Sequence, residues 1–363
     1  MLGRDRSTPV LIWALLAGLA VVFAIELLFG VDRGGSSLEP SVGTLIALGG
    51  LNGTLVLQDG EWYRLFSAPL LHGGMVHLGM NALALLISGG LLERLVGRAW
   101  LLALFAIGAL GGSLMSLAIN PPTLVSVGAS GAIMGLLAAG LVLSHRLPRG
   151  PQRTQVQIGM LQMLVPSLLP LAASVTGQQI DFGAHLGGAL AGGAAGFAML
   201  QFWPQTSPQP PALGRVLAAA GLTAFAWAVV AVAADYPSYA AELIPSDRLP
   251  QADAAGRRAS ADLVARYPHD PRAHFLRAES LLDAGDKQGA EEELRAALAQ
   301  ERTLSLHFKP ELEWRLRTLL ALLLAEEGRA ADAAQAAQPV CVAAAPATMR
   351  AALTDAHLCD PHH

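Results

Sequence analysis

Val127-Gly128-Ala129-Ser130-Gly131-Ala132-Ile133-Met134-Gly135 opens an apolar run that continues to Leu143. A serine beside glycines at the head of a hydrophobic segment can be a nucleophile, exposed because its neighbours carry little side chain. The same stretch can be a packing surface. Small residues let helix backbones approach, and Gly131 with Gly135 makes the GxxxG spacing of helix contacts in lipid. The motif alone favours packing, because the pattern is common. Catalysis needs a base, an oxyanion site and a polar setting, all from elsewhere in the chain.

The surrounding composition is that of a membrane protein. The 363 residues are 53% hydrophobic and 14% charged, with mean hydropathy +0.45, far from the soluble globular average. Charge gathers at one end: residues 236–363 hold 14 of the 24 Lys and Arg and 19 of the 28 Asp and Glu. A membrane domain is therefore expected over 1–234, a Pro-, Ala- and Asp-rich linker over 235–260, and a soluble domain over 261–363. The net charge of −4 gives no reason to expect nucleic acid. Cys341 and Cys359 lack metal-ligand spacing, so neither a metal nor another cofactor is expected.

A spanning helix needs about 20 mostly apolar residues. Seven segments meet or approach that length: 10–30, 76–95, 100–118, 127–144, 156–176, 182–201 and 216–234. The first, behind Arg4 and Arg6, is too long for a signal-peptide core and reads as an uncleaved span. Pro166 and Pro170 predict a kinked fifth span, less tightly packed than its neighbours. With the N-terminus in the cytoplasm, Arg4, Arg6, Arg94, Arg98, Arg146, Arg149, Arg153 and Arg215 lie inside, against Arg33 and Arg64 outside. This orientation puts the tail outside and Ser130 near the outer face. Trp62, Trp100 and Trp203 fall at span ends, as interfacial aromatics should. Gly188, Gly192 and Gly196 give the sixth span one smooth face for a neighbour.

Ionisable groups inside spans point to function. His185 lies near the outer end of span six, at the depth of Ser130 in span four; alone it is as readily a structural histidine, but with a serine at its level it reads better as a base. His77 and Asn81, at i and i+4, share one helical face near the outer end of span two, as oxyanion donors or as interhelical glue. His72 reads as interfacial, supporting the loop. Asp181, one turn before His185, either orients the imidazole or, the preferred reading, caps span six. Glu26 in the first span has no firm role from the sequence.

Together these residues resemble the rhomboid family of intramembrane serine proteases. The matching text is Trp62-Tyr63-Arg64-Leu65, then Leu71-His72-Gly73-Gly74-Met75-Val76-His77-Leu78-Gly79-Met80-Asn81, Glu93 with Gly97, Gly128-Ala129-Ser130-Gly131, and Ala184-His185-Leu186-Gly187-Gly188. The likeness covers about 60–201 and reverses the balance left by the serine motif. It implies Ser130 as nucleophile and His185 as base in a dyad. His77, Asn81 and the Ser130 backbone N–H would line the oxyanion site, with Gly128, Gly131 and His72 in support. It also implies an all-α membrane bundle of six core spans, to which 216–234 adds a seventh. Substrates would be single-span proteins in a lipid bilayer, admitted past about 156–181. The expected place is the plasma (inner) membrane.

In the tail, Ala278, Leu281, Gly285 and Ala290 recur 43 residues later as Ala321, Leu324, Gly328 and Ala333. This resembles a tetratricopeptide-type (TPR-like) helical hairpin, with an insertion around 301–310; an Ala/Leu-rich helical bundle is nearly as good a reading. Such a domain binds a protein or peptide partner. In an extracytoplasmic tail Cys341 and Cys359 can form a disulfide. The competing class is a non-catalytic membrane scaffold that binds membrane proteins and recruits partners through the tail.

Overall fold

A computed structural model describes residues 10–31, 38–169, 181–204, 206–207, 209–244, 249, 254–342 and 345–359. The chain divides into two compact units, Met1–Tyr236 and Pro237–His363.

The first unit begins with α1 (Val10–Leu28), an apolar helix whose buried positions are Ile12, Leu19, Phe23 and Glu26. Their spacing of seven, four and three residues makes one stripe. The starting turn of α1 is satisfied from another helix: the Glu93 carboxyl oxygens accept from the N–H groups of Leu11 and Ile12, both at 3.1 Å. A helix N-terminus leaves its first N–H groups unpaired, which makes it a natural carboxylate site.

Residues 38–74 fold into short pieces: α2 (Val42–Ala47), β1 (Leu51–Asn52), α3 (Gly53–Leu57), α4 (Arg64–Ser67) and a 3-10 turn, Ala68–Leu70. Fully buried Arg64 organises them. Its Nη1 donates to the Ile46 and Gly50 carbonyls at 2.7 Å, and its Nε to the Glu61 carboxylate, which also accepts from the Tyr63 hydroxyl at 2.8 Å. A buried guanidinium this well paired is costly to unpair, so the loop is a built object.

The helix α5 (Met75–Ile119) runs 45 residues, about 67 Å if straight and twice a bilayer core. Gly97, at φ +81°, breaks it into two arms. The first arm places Asn81 beside Gly128 and Leu92 beside Gly140, while the second places Gly112 beside Gly131 and Gly108 beside Gly135. The arms therefore run antiparallel. After them come β2 (Val125–Ser126), α6 (Ser130–Leu143), α7 (Pro151–Ser167), α8 (Phe182–Phe202) and α9 (Leu213–Tyr239).

Glycine decides the packing. A Cβ on Gly188 would strike the Gly131 carbonyl and one on Gly192 the Gly135 carbonyl, and one on Gly196 would lie 3.1 Å from the Ala139 Cα. The smooth face expected on 182–201 thus meets the small-residue face of α6. The second arm of α5 joins the same seam, since a Cβ on Gly112 would lie 2.8 Å from the Ala184 carbonyl oxygen. By contrast α7 buries only Met160 and Leu164 and carries Pro166 inside its last turn.

Several expectations need adjusting. The fourth helix begins at Ser130 rather than 127, because Val125 and Ser126 pair antiparallel with Asn52 and Leu51 in a two-stranded sheet. The fifth begins at Pro151 and ends at Ser167; Pro170 and residues 170–180 of the expected access route lie outside the described residues. The linker expected at 235–260 is partly helical, since α9 reaches Tyr239 and α10 begins at Ala254. Trp100 and Trp203 are buried, their indole N–H groups bonded to the Pro211 and Ser207 carbonyls, so only Trp62 of the three is exposed. His72 is fully buried.

The second unit contains α10 (Ala254–Arg266), α11 (Pro271–Asp283), α12 (Lys287–Leu298), α13 (Glu301–His307), α14 (Pro310–Glu326), α15 (Ala330–Val342) and α16 (Ala347–Asp355). Gly285 at φ +79° ends α11 and Gly328 at φ +77° ends α14, the same left-handed turn in two hairpins. Ala278, Ala290, Ala321 and Ala333 are all fully buried where the paired helices meet. The insertion between the hairpins contains α13. A disulfide joins Cys341 to Cys359, with Cα atoms 5.6 Å apart.

Candidate active site

Ser130 is the first residue of α6 and His185 sits in the first turn of α8. The glycine seam sets their relative depth: a Cβ on Gly131 would lie 3.1 Å from the carbonyl oxygen of Ala184, the residue before His185. The two side chains are brought to one end of the bundle. Among the described residues no hydrogen bond joins Ser130 Oγ to His185; unliganded catalytic pairs are commonly longer than in the reacting complex.

The tautomer of His185 follows from its neighbour. Its Nδ1 lies 2.7 Å from the Ser167 carbonyl oxygen at the end of α7. A carbonyl only accepts, so Nδ1 carries the proton and Nε2 keeps its lone pair. The imidazole is thus oriented by a backbone carbonyl, which no side-chain motif could have announced.

Asp181 serves the fold of the site and does not touch the ring. It is the N-cap of α8, accepting from the Ala184 N–H at 2.8 Å. It also accepts from Asn120 Nδ2 at 2.7 Å, Ser116 Oγ at 2.6 Å and Ser126 Oγ at 2.5 Å. One carboxylate therefore ties the end of α5, the strand leading to Ser130 and the start of the His185 helix. Ser116 and Asn120, four residues apart in an otherwise apolar segment, were the overlooked signal.

His77 and Asn81 converge on Gly128, two residues before Ser130. A Cβ on Gly128 would lie 2.8 Å from His77 Nε2 and 3.6 Å from Asn81 Nδ2, and its φ of +122° also excludes other residues. His77 Nδ1 accepts from the Gly73 N–H at 3.4 Å, so Nε2 bears the hydrogen and is a donor. Asn81 Nδ2 is buried with no partner among the described residues. The His72 ring packs edge-on against His77, centroids 5.2 Å apart. Beside these groups a small cavity is lined by Pro69, Ser113, Gly128, Gly131, Ala132 and Ala184, among others.

Comparison with known proteins places this geometry in context. Residues 59–202 match the family model described as Rhomboid domain. RHOMBOID-like protein 5 of Arabidopsis thaliana is 39% identical over 164 residues, 45% of this chain and 52% of that protein. Rhomboid protease GluP of Bacillus subtilis is 31% identical over 261 residues, 68% of this chain and 48% of its own. Putative rhomboid protease YdcA of the same bacterium is 32% identical over 149 residues, which span 40% of this chain and 72% of that protein. The chain thus spans about half the length of several curated relatives it matches.

Proposed function

We propose, from the premise that this chain belongs to the rhomboid family, that it is an intramembrane serine endopeptidase acting on single-span membrane proteins. The chain is a multi-pass membrane protein, and its relatives include proteins named as proteases. One observation carries the reading to this chain's own residues. Beside Gly128, two residues before Ser130, stand a His77 Nε2–H and a buried Asn81 Nδ2 that has no partner among the described residues. Unpaired buried donors are costly, and an oxyanion is what such donors stabilise.

In the reaction Ser130 Oγ attacks the scissile carbonyl while His185 Nε2 takes the hydroxyl proton. The negative charge on the carbonyl oxygen is met by His77, Asn81 and the Ser130 backbone N–H. His185 then returns its proton to the leaving amine, and a water molecule repeats the sequence on the acyl enzyme. The Ser167 carbonyl stabilises the imidazolium and holds the ring, so no acid is required.

The seven-span arrangement with cytoplasmic N-terminus belongs to the same proposal, as do the plasma membrane and the extracytoplasmic tail. The Cys341–Cys359 disulfide supports an oxidising compartment for the tail. The paired glycine turns and buried alanines support a TPR-like domain that presents a protein or peptide partner.

Cleavage of a single-span model substrate by purified full-length protein in detergent tests the reading. Loss of activity in Ser130→Ala and His185→Ala, with folding intact, is the expected result. Cleavage surviving in folded Ser130→Ala would overturn it and favour the non-catalytic scaffold.

A further inference from the structure

Glu26 lies on α1, ahead of the residues that match the family model, and is 1% exposed in an otherwise apolar helix. Its carboxyl oxygens stand 3.1 and 3.2 Å from the backbone N–H of His72. The next N–H, that of Gly73, donates to His77 Nδ1. Two successive peptide groups therefore point in turn to a carboxyl group on α1 and to the ring that faces Gly128.

Neither ring nitrogen of His72 completes a full hydrogen bond among the described residues, although the ring stands near the Leu70 carbonyl. What fixes the turn is the anchor on its backbone, with the edge-on contact between the His72 and His77 rings. Glu26 touches neither Ser130 nor His185, so it is not an acid or base of the reaction.

We propose that Glu26 is a positioning residue of the oxyanion site, anchoring the His72 N–H so that the Gly73 N–H locks His77 as its Nε2–H tautomer. The inference rests on the oxyanion role given to His77 above. Without the anchor, the turn relaxes, Nδ1 loses its donor, and His77 populates the other tautomer with its lone pair toward Gly128. A lone pair there repels the developing oxyanion instead of stabilising it.

The discriminating pair is Glu26→Gln and Glu26→Met. These side chains have nearly the same length and volume, and only the first can accept from the His72 N–H. Full-length protein carrying 15N-labelled histidine, with His77→Ala to assign the signal, reports the tautomer in detergent. A single Nε2–H form in the parent and Glu26→Gln, and a tautomer mixture in Glu26→Met, is the expected result. An unchanged His77 signal in folded Glu26→Met overturns the proposal, and this readout stands even if the parent cleaves nothing, an outcome that would count against the protease reading instead. In cleavage assays Glu26→Met lowers kcat roughly 10-fold to 100-fold at unchanged KM, and Glu26→Gln restores it. Combined with His77→Ala, Glu26→Met adds no further loss, whereas multiplying losses would mark Glu26 as mere helix glue.

Discussion

A Cβ on Gly188 would overlap the carbonyl group of Gly131, so α6 and α8 touch backbone to backbone one residue after Ser130 and about one turn after His185. The contact is both the packing device and the ruler of the candidate site. Gly188→Ala should cost about 1–3 kcal/mol through overpacking. It should also depress cleavage by more than its stability loss explains, because the added methyl pushes apart the two side chains proposed to react. Gly79→Ala is the control, since an added Cβ there meets nothing within 4 Å. Thermal denaturation and cleavage measured together check the pair; equal behaviour of the two variants would deny the contact.

Ser130→Ala and His185→Ala should each lower kcat on the order of 10^4-fold or more, with melting temperatures near the parent. The double variant should be no worse than either single one, because nucleophile and base act as a unit. Single-turnover cleavage of a reconstituted substrate gives the values.

Asn81→Ala and His77→Ala remove the donors beside Gly128 and should cost about 10^2 to 10^3 in kcat with little change in KM. Asn81→Ala should not destabilise the protein appreciably, because its Nδ2 has no partner to lose among the described residues. A large fall in melting temperature would instead identify Asn81 as structural glue.

Asp181 separates a cap from a triad aspartate. Asp181→Asn keeps an acceptor for the Ala184 N–H and should retain most activity and stability. Asp181→Ala strands that N–H together with Ser116, Asn120 and Ser126, and should destabilise by about 2 kcal/mol or more. Were Asp181→Asn as inactive as His185→Ala, the carboxylate would be acting on the imidazole itself.

The Cys341–Cys359 bridge closes a loop with a sequence separation of 18 residues, worth about 3 kcal/mol in the chain-entropy picture. Cys359→Ser should lower the stability of the tail by about that amount and leave substrate cleavage by the membrane unit unchanged. Alkylation of intact cells should find both thiols protected until a reductant is added.

Much was legible because it is written locally. Hydropathy runs marked the helices, and the four-residue glycine ladder at Gly188, Gly192 and Gly196 announced a close neighbour without saying which. Ser130, His185, His77 and Asn81 could be placed at one depth, and the family resemblance then implied their roles. The small sheet at Leu51–Asn52 and Val125–Ser126 was invisible, because two residues per strand carry no alternation to detect. The burial of Trp100 and Trp203 was equally hidden: a span end reads the same whether lipid or a later segment covers it.

From the amino-acid order alone came the two-part architecture, the apolar segments and the short roll of polar side chains able to do chemistry. These follow from composition and period, which need no knowledge of what packs against what. The tertiary structure alone shows which distant groups the carboxylates and imidazoles meet. Glu26 meets the His72 N–H across 46 residues, Asp181 meets Ser126 across 55, and His185 meets the Ser167 carbonyl across 18. Backbone groups are identical in every residue, so their service as anchor or orienter has no letter in the sequence. Only the packed chain brings one to within a hydrogen bond of the side chain it governs.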